Sequence, residues 1–309
     1  MEKHIKDFRY EKAMSVSSFV DKLGSIGYQA IHVGKAADII KRMKKEKATI
    51  MLTFTSNMVT SGLRGLFAQL IEMKFVDAVI TTAGSIEEDM MKAKGLKFLE
   101  GTFDADDLKL GKQGINRIGN IFVPNETYSG FEDIAGPILE QLYQKRKTWV
   151  VSDFLRELGN LMDDKNSFIR QAAKNGIPMF CPAITDGALG MQIYFFRQKH
   201  PDFILDAAGD MHHLFTATLD ANKTGAIILG GGVAKHHAIL ANLLRGGLDY
   251  AVYMTTAHAY AGSLSGATTQ EAKSWGKIKG DADAITVIGD VTITFPLVMC
   301  KVLDDLQSS

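Results

Sequence analysis

Six short apolar runs, each ending in small or polar residues, constrain this chain more than any other feature. They are Thr49–Phe54 before TSN, Asp77–Thr81 before TAGSIEED, Pro178–Ala183 before ITDGALG, Gly225–Leu229 before GGGVAKHH, Tyr250–Thr255 before TAHAYAG, and Ala284–Ile288 before GDVT. Continuous apolar runs of this length read as strands buried on both faces. Helical patterns separate several of them. Leu63, Leu66, Phe67, Leu70 and Ile71 form an i, i+3, i+4, i+7, i+8 stripe, and SFIRQAAKNG ends at Gly176, a C-cap glycine. Val33, Ala36, Ala37, Ile40 and Met43 make a further stripe, which runs into the basic segment Lys41–Lys47. Cations in a last helical turn suit the helix dipole. Alternating strands and helices predict an α/β fold with a mostly parallel sheet flanked by helices, and such sheets bind ligands beyond the carboxyl ends of their strands. The polar motifs lie at those ends.

Composition narrows the function. The chain has 309 residues, 46% apolar and 23% charged, with 35 basic and 35 acidic side chains. Zero net charge argues against a nucleic-acid or membrane-surface binder, which needs a cationic field. No apolar stretch reaches membrane-spanning length, since Asp290 and Pro296 interrupt the best candidate, 284–300. The segment MEKHIKDFRYEK has no apolar core of a signal peptide, so the expected location is the cytoplasm. Cys181 and Cys300 sit in apolar runs without metal-ligand spacing and are expected as buried, reduced thiols, with no metal site. No linker, repeat or low-complexity tract appears, and one domain over 1–309 is expected.

Three strand ends share an arrangement suited to a dinucleotide. Gly230-Gly-Gly232 follows a strand and opens the helix KHHAILANLL, and Ser56-Asn57 and Thr82-Ala83-Gly84 repeat the pattern. Glycines let a backbone approach phosphate, and helix N-termini supply N–H donors. The triple glycine alone is equally compatible with a tight strand-to-helix turn. Asp186 and Asp290, also at strand ends, are candidates for ribose hydroxyls. His236 and His237 open the helix after the glycines, as site residues or as core and capping histidines. Lys277 follows Trp275 and Gly276 and precedes a buried strand. A lysine is usually a solvated charge, yet one desolvated near an aromatic can act as a neutral nucleophile toward an imine or carbonyl. Trp275 can face a cation, and Glu271 can pair with an amine.

The segments TSNMVTSGLRG, TTAGSIEED, GNIFVPNETYSGFED, KNGIPMFCPAITDGALG, GGGVAKHH, LDYAVYMTTAHAYAGS and EAKSWGKI, in that order, closely resemble deoxyhypusine synthases over roughly residues 20–300. The resemblance implies a Rossmann-like NAD-binding fold, a homotetramer with sites at dimer interfaces, and an aminobutyl transfer. NAD oxidises spermidine, 1,3-diaminopropane leaves, and the four-carbon unit is held as an imine on an enzyme lysine. It then passes to a lysine of the translation factor 5A precursor and is reduced. By position, Lys277 resembles the imine-forming lysine and His236 the general base. Glu271 and Trp275 resemble the amine-binding pair, and Glu87 a second acid for the substrate. Ser56, Asn57, Thr60, Thr82, Ala83, Gly84, Glu88, Asp186, Gly231, Thr256, Ala257, Asp290 and Val291 resemble the NAD contacts.

The chain departs from the family at four places. Met191, Ala261 and Leu264 stand where relatives carry acids, and Leu240 stands where the better-known members carry an asparagine. The cofactor chemistry is thus better supported than the identity of the amine. Two alternatives stay open: a related NAD-dependent aminoalkyl transferase with another donor or a small amine acceptor, similar to homospermidine synthases, and a catalytically silent NAD-binding paralogue.

Overall fold

A computed structural model describes residues 3–307. The chain begins with α1 (Val16–Leu23), α2 (Gln29–Lys45) and β1 (Thr49–Thr53). It continues through α3 (Ser56–Thr60), α4 (Arg64–Glu72), β2 (Ala78–Ile80), α5 (Ala83–Ala93), β3 (Leu99–Glu100), α6 (Asp107–Lys112), β4 (Ile115–Ile118), β5 (Ile121–Pro124) and α7 (Asn125–Lys145). Next come β6 (Thr148–Val150), α8 (Val151–Asn160), α9 (Phe168–Asn175), β7 (Met179–Phe180), α10 (Ala188–Lys199), β8 (Ile204–Asp206) and α11 (Asp210–Leu219). The last third holds β9 (Thr224–Leu229), α12 (Gly232–Ala241), β10 (Leu248–Thr255), α13 (Thr269–Ser274), β11 (Ile278–Ile288) and α14 (Val291–Gln307). Each of the six apolar runs coincides with one strand or its carboxyl-terminal part. The fold is α/β with mostly parallel pairing, as the alternation of runs and stripes predicts. No helix among the described residues is long and apolar enough to cross a membrane.

The elements divide into two compact units. The first joins the chain up to Phe54 with the chain from Leu214 onward, and the second is Thr55–His213. In the first unit, β1, β9, β10 and β11 pair in parallel in the order β11-β10-β9-β1. All six residues of β9 are buried, which is why its sequence TGAIIL carries no alternation. Helices α2 and α14 pack against β10, and α12 packs against β1 and β9. Gly225 lets α2 approach the sheet, since a Cβ there would lie 2.7 Å from Met43 Sδ. Lys41, from the basic end of α2, reaches Asp305 of α14 at 2.7 Å, and Lys301 reaches it from the preceding turn. Burial alone would raise the Asp305 carboxyl, but these two ammonium groups hold it at about 2.

The second unit contains the parallel pairs β2–β7 and β6–β8 and the small antiparallel sheet β3-β5-β4. Gly176 ends α9 in the left-handed conformation, φ +69°, as its position predicts. The unit's polar core is a network around Asp89 of α5, which is fully buried. Asp89 accepts from Arg64 Nε of α4, from Ser167 Oγ at 2.7 Å and from Ile169 N at 3.1 Å, and Arg64 Nη2 continues to Asp164 at 2.6 Å. One carboxylate thereby ties α4, α5 and the start of α9 together.

The two cysteines differ. Cys181 is buried, and burial pushes its thiol up to about 12. Cys300 is exposed, which corrects the expectation of two buried thiols. Its run, LVMCKVL, lies on α14, where Val298, Met299 and Val302 face inward and the helical period turns Cys300 to solvent.

Replacing Arg64 with methionine keeps the volume but leaves Asp89 buried without its counter-ion. Breaking a buried pair from one side costs about 3–5 kcal/mol, so a thermal melt of Arg64→Met is expected to fall by roughly ten degrees. A melt within a degree or two of wild type would show that the network does not hold the second unit together.

Candidate active site

The site in the first unit is built on two helix starts and one strand start. After β9 the chain turns through Gly230 (φ +82°), Gly231 and Gly232 (φ +63°) into α12. A Cβ on Gly231 would lie 2.4 Å from Ser265 Cβ, and the backbone N–H of Gly232 donates to Ser265 Oγ at 3.0 Å. The glycines therefore let the 263–267 loop close onto the N-terminus of α12. That helix presents Lys235, His236 and His237 in succession. Thr268 caps α13, accepting from the N–H of Glu271 at 3.4 Å. Trp275 and Gly276 (φ +66°) turn the chain into β11. Lys277 is fixed through its backbone: its N–H donates to Ala272 O at 3.1 Å, and its carbonyl accepts from Leu248 N of β10 at 3.0 Å.

These elements enclose a cavity of about 390 Å³ whose lining includes His236, Glu271, Trp275 and Lys277, the four residues expected to handle the amine in this part of the chain. Lys277 Nζ lies 3.3 Å from His236 Nε2 and 5.4 Å from the centre of the Trp275 ring. Burial, and then the neighbouring Lys277, push the His236 imidazole below its ordinary range. His236 is thus unprotonated at neutral pH, with a nitrogen able to accept a proton. Its neighbour His237 is buried more deeply, and burial pulls it down to about 4. Trp275 is 65% exposed and presents its ring to the cavity mouth.

Lys235 is the residue that the sequence reading passed over. Its side chain is 1% exposed, with Nζ donating to Leu264 O at 2.7 Å and Ala267 O at 2.6 Å and standing 4.5 Å from the ring centre of Tyr253. Burial lowers its pKa to about 8. No local pattern signals its burial, because the carbonyls that it bonds lie 29 and 32 residues further along the chain.

The expected cofactor residues lie at carboxyl ends of strands. In the first unit, Gly231 follows β9, Thr256 and Ala257 follow β10, and Asp290 and Val291 follow β11. Asp290 also caps α14, accepting from Thr292 N at 2.7 Å. In the second unit, Thr82, Ala83 and Gly84 start α5 beyond β2, Ser56, Asn57 and Thr60 make up α3 with its neighbours, and Asp186 follows β7. A Cβ on Gly84 would lie 2.8 Å from Ser56 Cβ, so α3 and α5 meet at their N-termini only because glycine stands there. Thr60 Oγ1 donates to Glu88 at 2.5 Å, and burial raises the Glu88 carboxyl to about 7. Glu87 accepts from the N–H of Leu189 at 2.9 Å, and burial raises it too. Within each unit these residues place helix N-termini and an exposed carboxylate, Asp290 in the first and Asp186 in the second, at strand ends, with close approaches that glycine permits, features of the kind that suit a dinucleotide.

Of the four departures, Leu264 lines the cavity and Leu240 lies half-buried on α12, while Ala261 and Met191 are exposed, Met191 at 58%.

Comparison with known proteins gives a consistent answer. The deoxyhypusine synthase family model matches residues 18–302. The chain is 44% identical over 307 residues to the probable deoxyhypusine synthase of Pyrococcus furiosus, covering 94% of this chain and 91% of that protein. It is 41% identical over 303 residues to that of Schizosaccharomyces pombe, covering 93% and 86%. Among solved structures, an Entamoeba histolytica protein of the deoxyhypusine synthase type superposes with a TM-score of 0.69 at 27% identity, over 97% of each chain. With the strand-end loops, the His236–Lys277 pair and the EAKSWGK segment already in place, these matches leave one assignment: the chain belongs to the deoxyhypusine synthase family.

Proposed function

We propose that the protein transfers an aminobutyl group from spermidine to a lysine of the translation factor 5A precursor, with Lys277 as the covalent carrier and His236 as the base. The observation that carries this reading is the 3.3 Å approach of Lys277 Nζ to His236 Nε2 in an open cavity that also holds Glu271 and Trp275. As a member of the deoxyhypusine synthase family it is a transferase, NAD-dependent and homotetrameric as that family is. We further propose a cytoplasmic location and a single functional domain over 1–309, since one family model runs over residues 18–302.

When bound, NAD would supply the hydride acceptor for the carbon beside the donor nitrogen and the hydride donor for the final reduction. The protein's own groups do the rest. His236, unprotonated at neutral pH, accepts the proton released from the donor amine. Lys277 adds to the resulting imine carbon and displaces 1,3-diaminopropane, leaving the four-carbon unit as an imine on Nζ. The acceptor lysine then displaces Lys277 by the same addition and elimination. Glu271 pairs with an ammonium of the donor and Trp275 offers its face to it. The backbone bonds of Lys277 to Ala272 and Leu248 keep Nζ in place through both exchanges. Ser56, Asn57, Thr60, Thr82, Ala83, Gly84, Glu88, Asp186, Gly231, Thr256, Ala257, Asp290 and Val291 are the residues we propose to hold NAD, with Glu87 as a further substrate acid.

Two variants test the roles. Lys277→Arg keeps a cation but no nucleophile, because guanidinium does not deprotonate in proteins. It is expected to bind NAD in calorimetry like wild type, yet to leave factor 5A unlabelled by radioactive spermidine. Labelling at the wild-type rate would remove Lys277 from the mechanism. His236→Ala is expected to slow transfer by about 10²–10⁴-fold. Because the His236 pKa is depressed, the base is already free at neutral pH. The acid limb of the wild-type rate profile should therefore fall below about pH 6.5, the ordinary imidazole value. A limb above that value, or one unchanged in the variant, would assign the base elsewhere.

A further inference from the structure

β11 is the outermost strand of the first unit's sheet, so one of its edges has no neighbouring strand. Backbone groups on such an edge need other partners. Two side chains from the start of α2 supply them. Gln29 Oε1 accepts from Ile288 N at 2.8 Å, and His32 Nδ1 donates to Thr286 O at 2.8 Å. A carbonyl only accepts, so Nδ1 carries the proton of this bond. Gln29 and His32 stand three apart, hence on one face of the helix, and Thr286 and Ile288 stand two apart, hence on one edge of the strand. The match of the two periods lets a helix stand in for the missing strand. Its place is specific: Ile288 lies two residues before Asp290, and on the opposite edge Gly289 N donates to Thr255 O at 3.0 Å. Tyr28, immediately before Gln29, holds φ +57° and ψ −138°, which a non-glycine residue adopts only under constraint. Strain is thus accepted at the point where α2 turns its first residues toward β11.

Building on the NAD assignment above, we propose that Gln29 and His32 are positioning residues for the cofactor, holding the end of β11 so that Asp290 and Val291, part of this unit's share of the NAD contacts, meet it in a fixed place. Neither side chain touches the reacting atoms. Asp290 is exposed, and its Oδ1 accepts from Thr292 N at 2.7 Å and from Thr292 Oγ1 at 2.6 Å. Its direction therefore follows from the backbone at 288–290 and from the start of α14. Without the bonds from α2, this segment loses its hold on the outer side, and Asp290 samples more positions. Cofactor binding then carries the cost of ordering it again. His32 has a second connection. Thr286, whose carbonyl it holds, accepts from Thr269 N at 3.1 Å through its hydroxyl, and Thr269 is the first residue of α13, the helix of Glu271. Gln29 thus acts on the cofactor residues, and His32 acts on them and on the start of α13.

The test measures NAD binding by calorimetry, and the kinetic constants of transfer, in wild type, Gln29→Met, Gln29→Glu and His32→Phe. Gln29→Met keeps the length of the side chain without its acceptor, whereas the carboxylate of Gln29→Glu still accepts from Ile288 N. Gln29→Met and His32→Phe are expected to weaken NAD binding about five- to tenfold, the worth of one hydrogen bond. In Gln29→Met, KM for NAD should rise in step, while kcat at saturating NAD stays within about twofold of wild type. Gln29→Glu is expected to bind NAD within about twofold of wild type. A merely structural contact would lower the melting temperature without this split and without the rescue. Unchanged NAD affinity in Gln29→Met and His32→Phe, or an equal loss in Gln29→Glu, would overturn the positioning role and leave the transferase reading intact. A wild type that binds no NAD would overturn both. His32→Phe decides the matter if Gln29→Met folds poorly.

Discussion

A buried ammonium holds the cavity of the first unit together. Lys235 Nζ satisfies the carbonyls of Leu264 and Ala267 under the face of Tyr253, in a spot almost closed to solvent. An unpaired charge there would cost several kcal/mol, and two carbonyls and an aromatic face offset that cost. The lysine thereby fastens the 263–267 loop to α12. One side of that loop packs on Gly231 at the triple-glycine turn, and the other forms the cavity wall beside His236. The triple-glycine turn, His236 and the cavity wall are thus linked through one side chain. The lowered pKa of Lys235, about 8, does not endanger the arrangement, because a neutral amine still has two N–H donors for two carbonyls.

Separate constraints place Lys277. Lys277 stands where α13 gives way to β11, and its backbone is bonded to both α13 and β10. Its side chain is left to meet His236, whose imidazole is kept neutral by burial and by the nearby cation. The His236 imidazole and the Lys277 nitrogen, 3.3 Å apart, are within reach of a proton transfer. The same helix treats its second histidine differently: His237 turns inward and is held neutral to about pH 4. Adjacent identical residues receive different chemistry because a helix rotates about 100° per residue.

Much of this was legible in the sequence where burial and period coincide. β9 and β10 are recognisable because buried parallel strands need unbroken apolar runs, and Gly176 because a left-handed cap favours glycine. The strand-end motifs were legible because polar residues there serve no packing purpose. The sequence was silent on what depends on distant contacts. Burial of Lys235 requires carbonyls some thirty residues away, and a lysine is otherwise read as solvated. The strands β3 and β6 are two and three residues long, too short for a period. The first unit is discontinuous, leaving at Phe54 and returning at Leu214, and no composition shift marks either point. Cys300 was misread because an apolar run on a helix still has a solvent face.

The central claim is that Lys277 Nζ carries the four-carbon unit. Borohydride added to the enzyme with NAD and labelled spermidine, before factor 5A is supplied, would freeze that state. Mass mapping of the digested protein is predicted to find the label on the peptide containing Lys277 and nowhere else. Label on Lys235 or another lysine, or an unlabelled enzyme that nevertheless modifies factor 5A, would contradict the account.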